Sequence, residues 1–181
     1  MSDLQKLHSM VWDLRKEIHA TWPTPPPEDC LRYSLTEAGE AMDAWLRLTR
    51  PGDARNHAKS ADVLAELADL VMMLLSALGP EWGEDWRVGS PPPGDTNLDE
   101  ICAYTTANLL ALTQYQYYDI SGVLDIVLVI DSYPGMNLEM ELAALLARIR
   151  AKHIIEYGGC TSWTTEVIEA TPPTRPGTSS E

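Results

Sequence analysis

The sequence predicts an all-α protein, and three observations carry that expectation. Apolar residues recur at helical spacing in long stretches, proline-rich breaks separate those stretches, and no two segments read as a pair of strands. The breaks are Pro23 with Pro25 to Pro27, Pro51-Gly52, Pro91 to Pro93 with Gly94, and Tyr133-Pro134-Gly135. With 181 residues and 45% hydrophobic content, the chain suits one domain with its own core, and wholesale disorder is excluded. That domain is expected over residues 1–170, followed by a Pro/Thr/Ser tail, 171–181, with the composition of a disordered segment.

The first helical pattern spans 3–21. The second, 27–50, carries Pro27 in its first turn with Glu28 and Asp29 behind it, a favourable start because proline has no N–H to satisfy and acids complement the helix dipole. The third, 58–79, shows the apolar stripe Leu64, Leu67, Val71, Leu74 and Leu78. A fourth spans 97–117 and a last one 137–157. Between them, Val123 to Ile130 (VLDIVLVI) has the β-branched content of a strand. It lacks any partner strand, so a buried helix is expected there. The cluster Tyr115-Gln-Tyr-Tyr118 with Asp119 reads as a core edge or a subunit contact.

Composition excludes several functions. There are 13 Lys and Arg against 27 Asp and Glu, a formal net charge of −14. Such a chain is poorly suited to nucleic-acid polymers, whose phosphates are held by cations, and to anionic membranes. It remains able to bind a nucleotide if divalent cations stand between carboxylates and phosphates. Met1-Ser2-Asp3-Leu4-Gln5-Lys6 opens an amphipathic stretch without a leader-like apolar core, so a cytoplasmic protein is expected. Cys30, Cys102 and Cys160 are odd in number and never in CxxC, which suggests neither a disulfide framework nor a zinc site. None of His8, His19, His57 and His153 follows a glutamate at ExxH spacing, and no phosphate-binding glycine loop or nucleophile elbow occurs.

The informative constellation is acidic. Glu37-Ala-Gly-Glu40 lies in the second pattern and Glu66-Leu-Ala-Asp69 in the third. Residues three apart share a helix face with about 5–6 Å between Cβ atoms, so each pair can grip one cation. About four acid pairs at this spacing arise by chance in a chain so acidic, and a single such pair is usually a solvated face. Here the surroundings differ. No Lys or Arg stands three or four residues either side of Glu37, Glu40, Glu66 or Asp69. Beyond Asp69 the same face continues with Met73, Ser76 and Ala77. Crowded carboxylates among small and apolar groups repel one another unless a cation holds them ionised, and hard oxygen ligands suit Mg²⁺ or Mn²⁺. From Glu40 the second helix climbs about 15 Å to Arg50, and the third climbs about 10 Å from Lys59 to Glu66. A short antiparallel connection therefore brings the two pairs to one level, in a cleft between helices or between subunits.

ExxE, 25 residues, then ExxD in consecutive helices resembles the all-α nucleoside triphosphate pyrophosphohydrolases, the MazG-like proteins and the related dimeric dUTPases. Leu35-Thr-Glu-Ala-Gly-Glu-Ala-Met-Asp-Ala44 is similar to the family's L-x-E-x-G-E-x-x-D-A segment, and Leu64-Ala-Glu-Leu-Ala-Asp-Leu-Val71 to its E-L-x-D-L/V segment. The resemblance covers residues 27–79. Outside it, Lys152-His-Ile-Ile-Glu-Tyr157 stands where many members end in K-x-x-x-N-x-x-R, with Glu156 in place of the Asn, and Thr36 replaces a further Glu.

The resemblance implies a MazG-like helical bundle that assembles as a homodimer or homotetramer. It also implies cleavage between the α and β phosphates of a nucleoside triphosphate, giving a monophosphate and pyrophosphate. Glu37, Glu40, Glu66 and Asp69 would hold two or three Mg²⁺, with Glu37 and Glu40 catalytic and Glu37 the expected base. In size the chain resembles the compact phage MazZ-type members that act on dGTP or GTP, for which the location would be the host cytoplasm. Arg55 and Lys59 are candidates for phosphate, Asn56 for a base edge, and Trp22, Tyr33 and Trp45 for stacking on a base. The alternative is a non-catalytic acidic helical interaction or inhibitor protein, which has no need of acids three apart on two helices.

Overall fold

The computed structural model describes residues 3–50, 60–83, 97–114, 120–133 and 135–157. Arg55, Asn56 and Lys59, the 115–119 cluster and the 171–181 tail lie outside the described residues. Within them the chain forms six helices and no strand: α1 (Leu4–Ile18), α2 (Pro27–Thr49), α3 (Ser60–Ala77), α4 (Leu98–Gln114), α5 (Ile120–Asp131) and α6 (Leu138–Tyr157). Each expected helix is present.

Local chemistry sets the boundaries. Asp3 caps α1 by accepting the Lys6 N–H, and α2 starts with Pro27 at its first position. Gly79 ends the α3 region with φ +84, a left-handed conformation that glycine adopts at no steric cost. Asn97 and Glu100 form a reciprocal cap at the start of α4, each side chain accepting the other residue's backbone N–H at 3.1 and 3.0 Å. Asn97 takes the place usually filled by Ser or Thr. Asn137 caps α6 in turn, accepting the Met140 N–H.

The helix α3 is the axis of the bundle. From Leu67 to Ala77 every residue but Asp69 is buried, with α1, α2, α5 and α6 packed around it. The helix α5 is buried nearly all round, from Val123 through Ile130 apart from Asp125. An isolated strand there would leave its backbone groups unpaired in an apolar setting, whereas a helix pairs them internally. Ala38, Ala41 and Ala44 of α2 are all buried, and α2 packs against both α3 and α4.

Contacts fix the directions. His8 Nε2 donates to the Gly79 carbonyl at 2.8 Å, Trp12 Nε1 donates to Leu75 O at 3.1 Å, and Arg15 reaches Met73 and Ser76. Steps forward along α1 match steps back along α3, so the two helices are antiparallel. Lys6 pairs with Glu139, Glu17 with Arg150, and Thr21 with His153, so α1 and α6 run parallel. No helix among the described residues is long and apolar enough to cross a membrane.

Candidate metal centre

Three of the four acids converge. Glu37 and Glu40 from α2 and Glu66 from α3 each offer a carboxylate oxygen, and these atoms all lie within 4.8 Å of one another. The helices α2 and α3 pack on one another, and repulsion runs across them: Asp69 acts on Glu37, and Glu40 acts on Glu66. Asp69 is not in this three-acid group. Its carboxylate turns towards α6, where Arg148 Nη2 stands 3.9 Å away.

The carboxyls perturb each other as crowding demands. Burial pushes Glu37 up to about 7, with Asp69, Glu40 and Glu66 adding repulsion. Glu66 is raised by burial and then by Asp69 and Glu40, against the opposing pull of Arg148 and Arg47. Asp69 is raised by burial, with Arg148 opposing and Glu40 adding to the rise. The cluster thus holds more negative charge than its surroundings stabilise. An all-oxygen donor set of this kind fits a hard divalent cation such as Mg²⁺ or Mn²⁺, whose binding would relieve the repulsion.

Basic groups enter from outside the acids' own helical neighbourhood. Arg148 comes from α6. Arg47 lies two turns beyond Glu40 on α2, where it also pairs with Asp43 at 3.0 Å. The spacing of Arg47 was readable in sequence seven residues from Glu40. Arg148 was not, because a partner on another helix leaves no periodic signal. It lies one turn before Lys152 on α6.

The apolar continuation of the acid face has a local explanation. Met73, Ser76 and Ala77 are buried, and Arg15 of α1 covers Met73 and Ser76 within the same chain. That part of the cleft is an interhelical one.

The expected aromatic contacts divide. Trp22 stands in the turn after α1, 44% exposed. Its ring lies over the Arg15 guanidinium at 5.9 Å and borders a cavity of about 250 Å³ lined by Ile149, Lys152, His153, Glu156 and Tyr157. Tyr33 is 53% exposed on α2, one turn before Glu37. Trp45 donates its Nε1–H to Asp99 and packs against the core, so it serves the α2–α4 contact.

No family model matches the chain, and neither a curated protein nor a solved structure matches it.

Proposed function

We propose that the chain is a divalent-cation-dependent nucleoside triphosphate pyrophosphohydrolase of the MazG-like kind, acting as a homodimer or homotetramer with dGTP or GTP as its best substrate. The observation that carries this reading is the convergence of Glu37, Glu40 and Glu66 on one point from two consecutive helices, with Asp69 beside them. The overall reaction adds water across the α–β phosphoanhydride, giving a nucleoside monophosphate and pyrophosphate. Mg²⁺ or Mn²⁺ in such a centre supplies charge neutralisation for the phosphates and acidifies a coordinated water.

The residues divide the remaining tasks. Glu37, Glu40, Glu66 and Asp69 would supply oxygen ligands. Glu37, raised to about 7 by burial and by its acid neighbours, is suited to taking a proton from water near neutral pH. Arg148, 63% exposed at the rim and weakly held by Asp69, is free to swing onto phosphate oxygens. Trp22, half in solvent, offers a face for a base.

The deciding experiment measures pyrophosphate release from the eight common ribo- and deoxyribonucleoside triphosphates with Mg²⁺ or Mn²⁺. Release is expected, and Glu37→Gln should lower it by about 10²–10⁴-fold. Glu40→Gln and Asp69→Asn should also abolish most of it. A wild-type protein that released no pyrophosphate from any of the eight would favour the non-catalytic acidic interaction protein instead. Activity unchanged in both Glu40→Gln and Asp69→Asn would overturn the site.

A further inference from the structure

The end of α6 borders a cavity whose walls include none of the clustered acids. Its volume is about 250 Å³, and it is lined by Trp22 from the turn after α1 with Ile149, Lys152, His153, Glu156 and Tyr157 of α6. The walls are held in place. A hydrogen bond joins His153 Nε2 to Thr21 Oγ1, and the His153 ring packs on Tyr157 with centroids 5.1 Å apart. Glu17 and Arg150 brace the same junction of α1 with α6 at 2.7 Å. Yet Trp22 and Tyr157 both stay about half exposed, two large aromatics left uncovered on one cavity. A cavity of about 150 Å³ already takes up a benzene ring, so this one has room for a larger aromatic side chain.

The chain carries such a side chain close by. Tyr157 ends α6 and lines the cavity, and the sequence continues Gly158-Gly-Cys-Thr-Ser-Trp163-Thr-Thr-Glu-Val-Ile168-Glu-Ala170. Two adjacent glycines admit a reversal of direction that other residues resist. Trp163 stands six residues past Tyr157, a tether of up to about 20 Å, which is ample for a cavity that Tyr157 itself lines. The stretch 158–170 also holds Val167 and Ile168, and its only charges are Glu166 and Glu169. These complement Lys152, which is 73% exposed and weakly held by Glu156 at 3.8 Å. Residues 171–181 are Thr, Pro, Arg, Gly, Ser and Glu, so they offer no comparable apolar group.

We propose that the segment 158–170 folds back on the end of α6 and seats the Trp163 side chain in this cavity, against Trp22 and Tyr157. An indole on two aromatic walls gains ring–ring contact beyond the area it buries. Lys152 faces the two glutamates that follow Trp163. The seated indole covers the Trp22 ring, so a ligand that uses this face has to displace the segment first. Nothing in this docking depends on the nucleotide reading of the acid cluster.

The test is amide hydrogen exchange, read by mass spectrometry on the full-length protein without metal or nucleotide, at several protein concentrations. Amides of 158–170 should exchange up to about 100-fold more slowly than in a synthetic peptide of the same residues, the factor that burying one large apolar side chain corresponds to. Trp163→Ala should return them to the peptide's rate and speed exchange in the last turn of α6. Lys152→Glu, at a largely exposed position, should speed exchange of the segment by about 2- to 5-fold through repulsion of Glu166 and Glu169. Circular dichroism verifies that each variant is folded. If Trp163→Ala does not fold, the charge variant and the wild-type protection decide. Exchange of the wild-type segment at the free peptide's rate, protection surviving in a folded Trp163→Ala, or no change in Lys152→Glu would overturn the proposal. So would protection that appears only as concentration rises, because the segment would then be seated on a second copy.

Discussion

Glu37→Gln should stabilise the metal-free protein at pH 8 and remove most of the benefit it gains from Mg²⁺. The carboxyl sits at about 7 in the fold against 4.5 ordinarily, chiefly through burial and then through Asp69, Glu40 and Glu66. Between those two values the folded chain binds more protons than the unfolded one. Its stability therefore falls as pH rises from about 4.5 through about 7, and the loss is complete above that. At ~1.4 kcal/mol per pKa unit the ceiling is roughly 3 kcal/mol. Glu40 is exposed and Glu37 only partly covered, so solvent screening reduces the expected effect to about 1 kcal/mol. For a chain of this size that is about 2–4 °C in melting temperature. The assay is a set of thermal melts of wild type and Glu37→Gln at pH 5 and pH 8, each with chelator or millimolar Mg²⁺. The variant should melt higher than wild type at pH 8 in chelator and show no such gain at pH 5. Wild type with Mg²⁺ should rise by about 2.7 kcal/mol at a hundredfold excess over the dissociation constant, and the variant by much less. If glutamine destabilised the metal-free protein at pH 8 as much as at pH 5, the crowding account of this cluster would be wrong.

Cation affinity measured by calorimetry should rise with pH through about 7, because Glu37 must release its proton before ligating, and proton release should be detectable from buffer dependence. Arg148→Met removes the charge that opposes the rise of Asp69 and Glu66, so the pH midpoint for cation binding should move up while the melting temperature changes little, as befits a largely exposed pair. Leu124→Ala in α5, where the side chain is fully buried, should cost about 2–5 kcal/mol in denaturant melts. Asn97→Ala breaks the reciprocal cap of α4 and should cost about 1 kcal/mol.

Much of this architecture was legible in the sequence because its causes are local. Proline at 27 and the turn residues at 133–135 mark helix ends through backbone chemistry alone. The assignment of 123–130 as a helix needed only the observation that a strand there would have no partner. Glu37, Glu40 and Glu66 were legible because helical spacing and a hairpin connection together fix their level. Asp69 shows the limit of that reasoning. It is correctly spaced from Glu66, yet its carboxylate turns to an arginine on α6, and no periodicity reveals the arrival of a distant helix. Arg15 was missed for the same reason. Along α1 it is one basic residue beside Lys16, and only the packing of α1 on α3 shows that it is buried.

The parallel arrangement of α1 and α6 has a consequence for how the site comes into being. The acid-bearing hairpin links residues near one another in the chain, so its contacts close early and quickly. The ion pairs joining α1 to α6 span 133 residues, the largest separation among the described ion pairs. Loop-closure entropy predicts that the wall carrying Arg148 docks after the acid pairs have met. During that interval the hairpin holds its acids without their neighbouring arginine, and divalent cations in the medium should speed the final docking in refolding experiments.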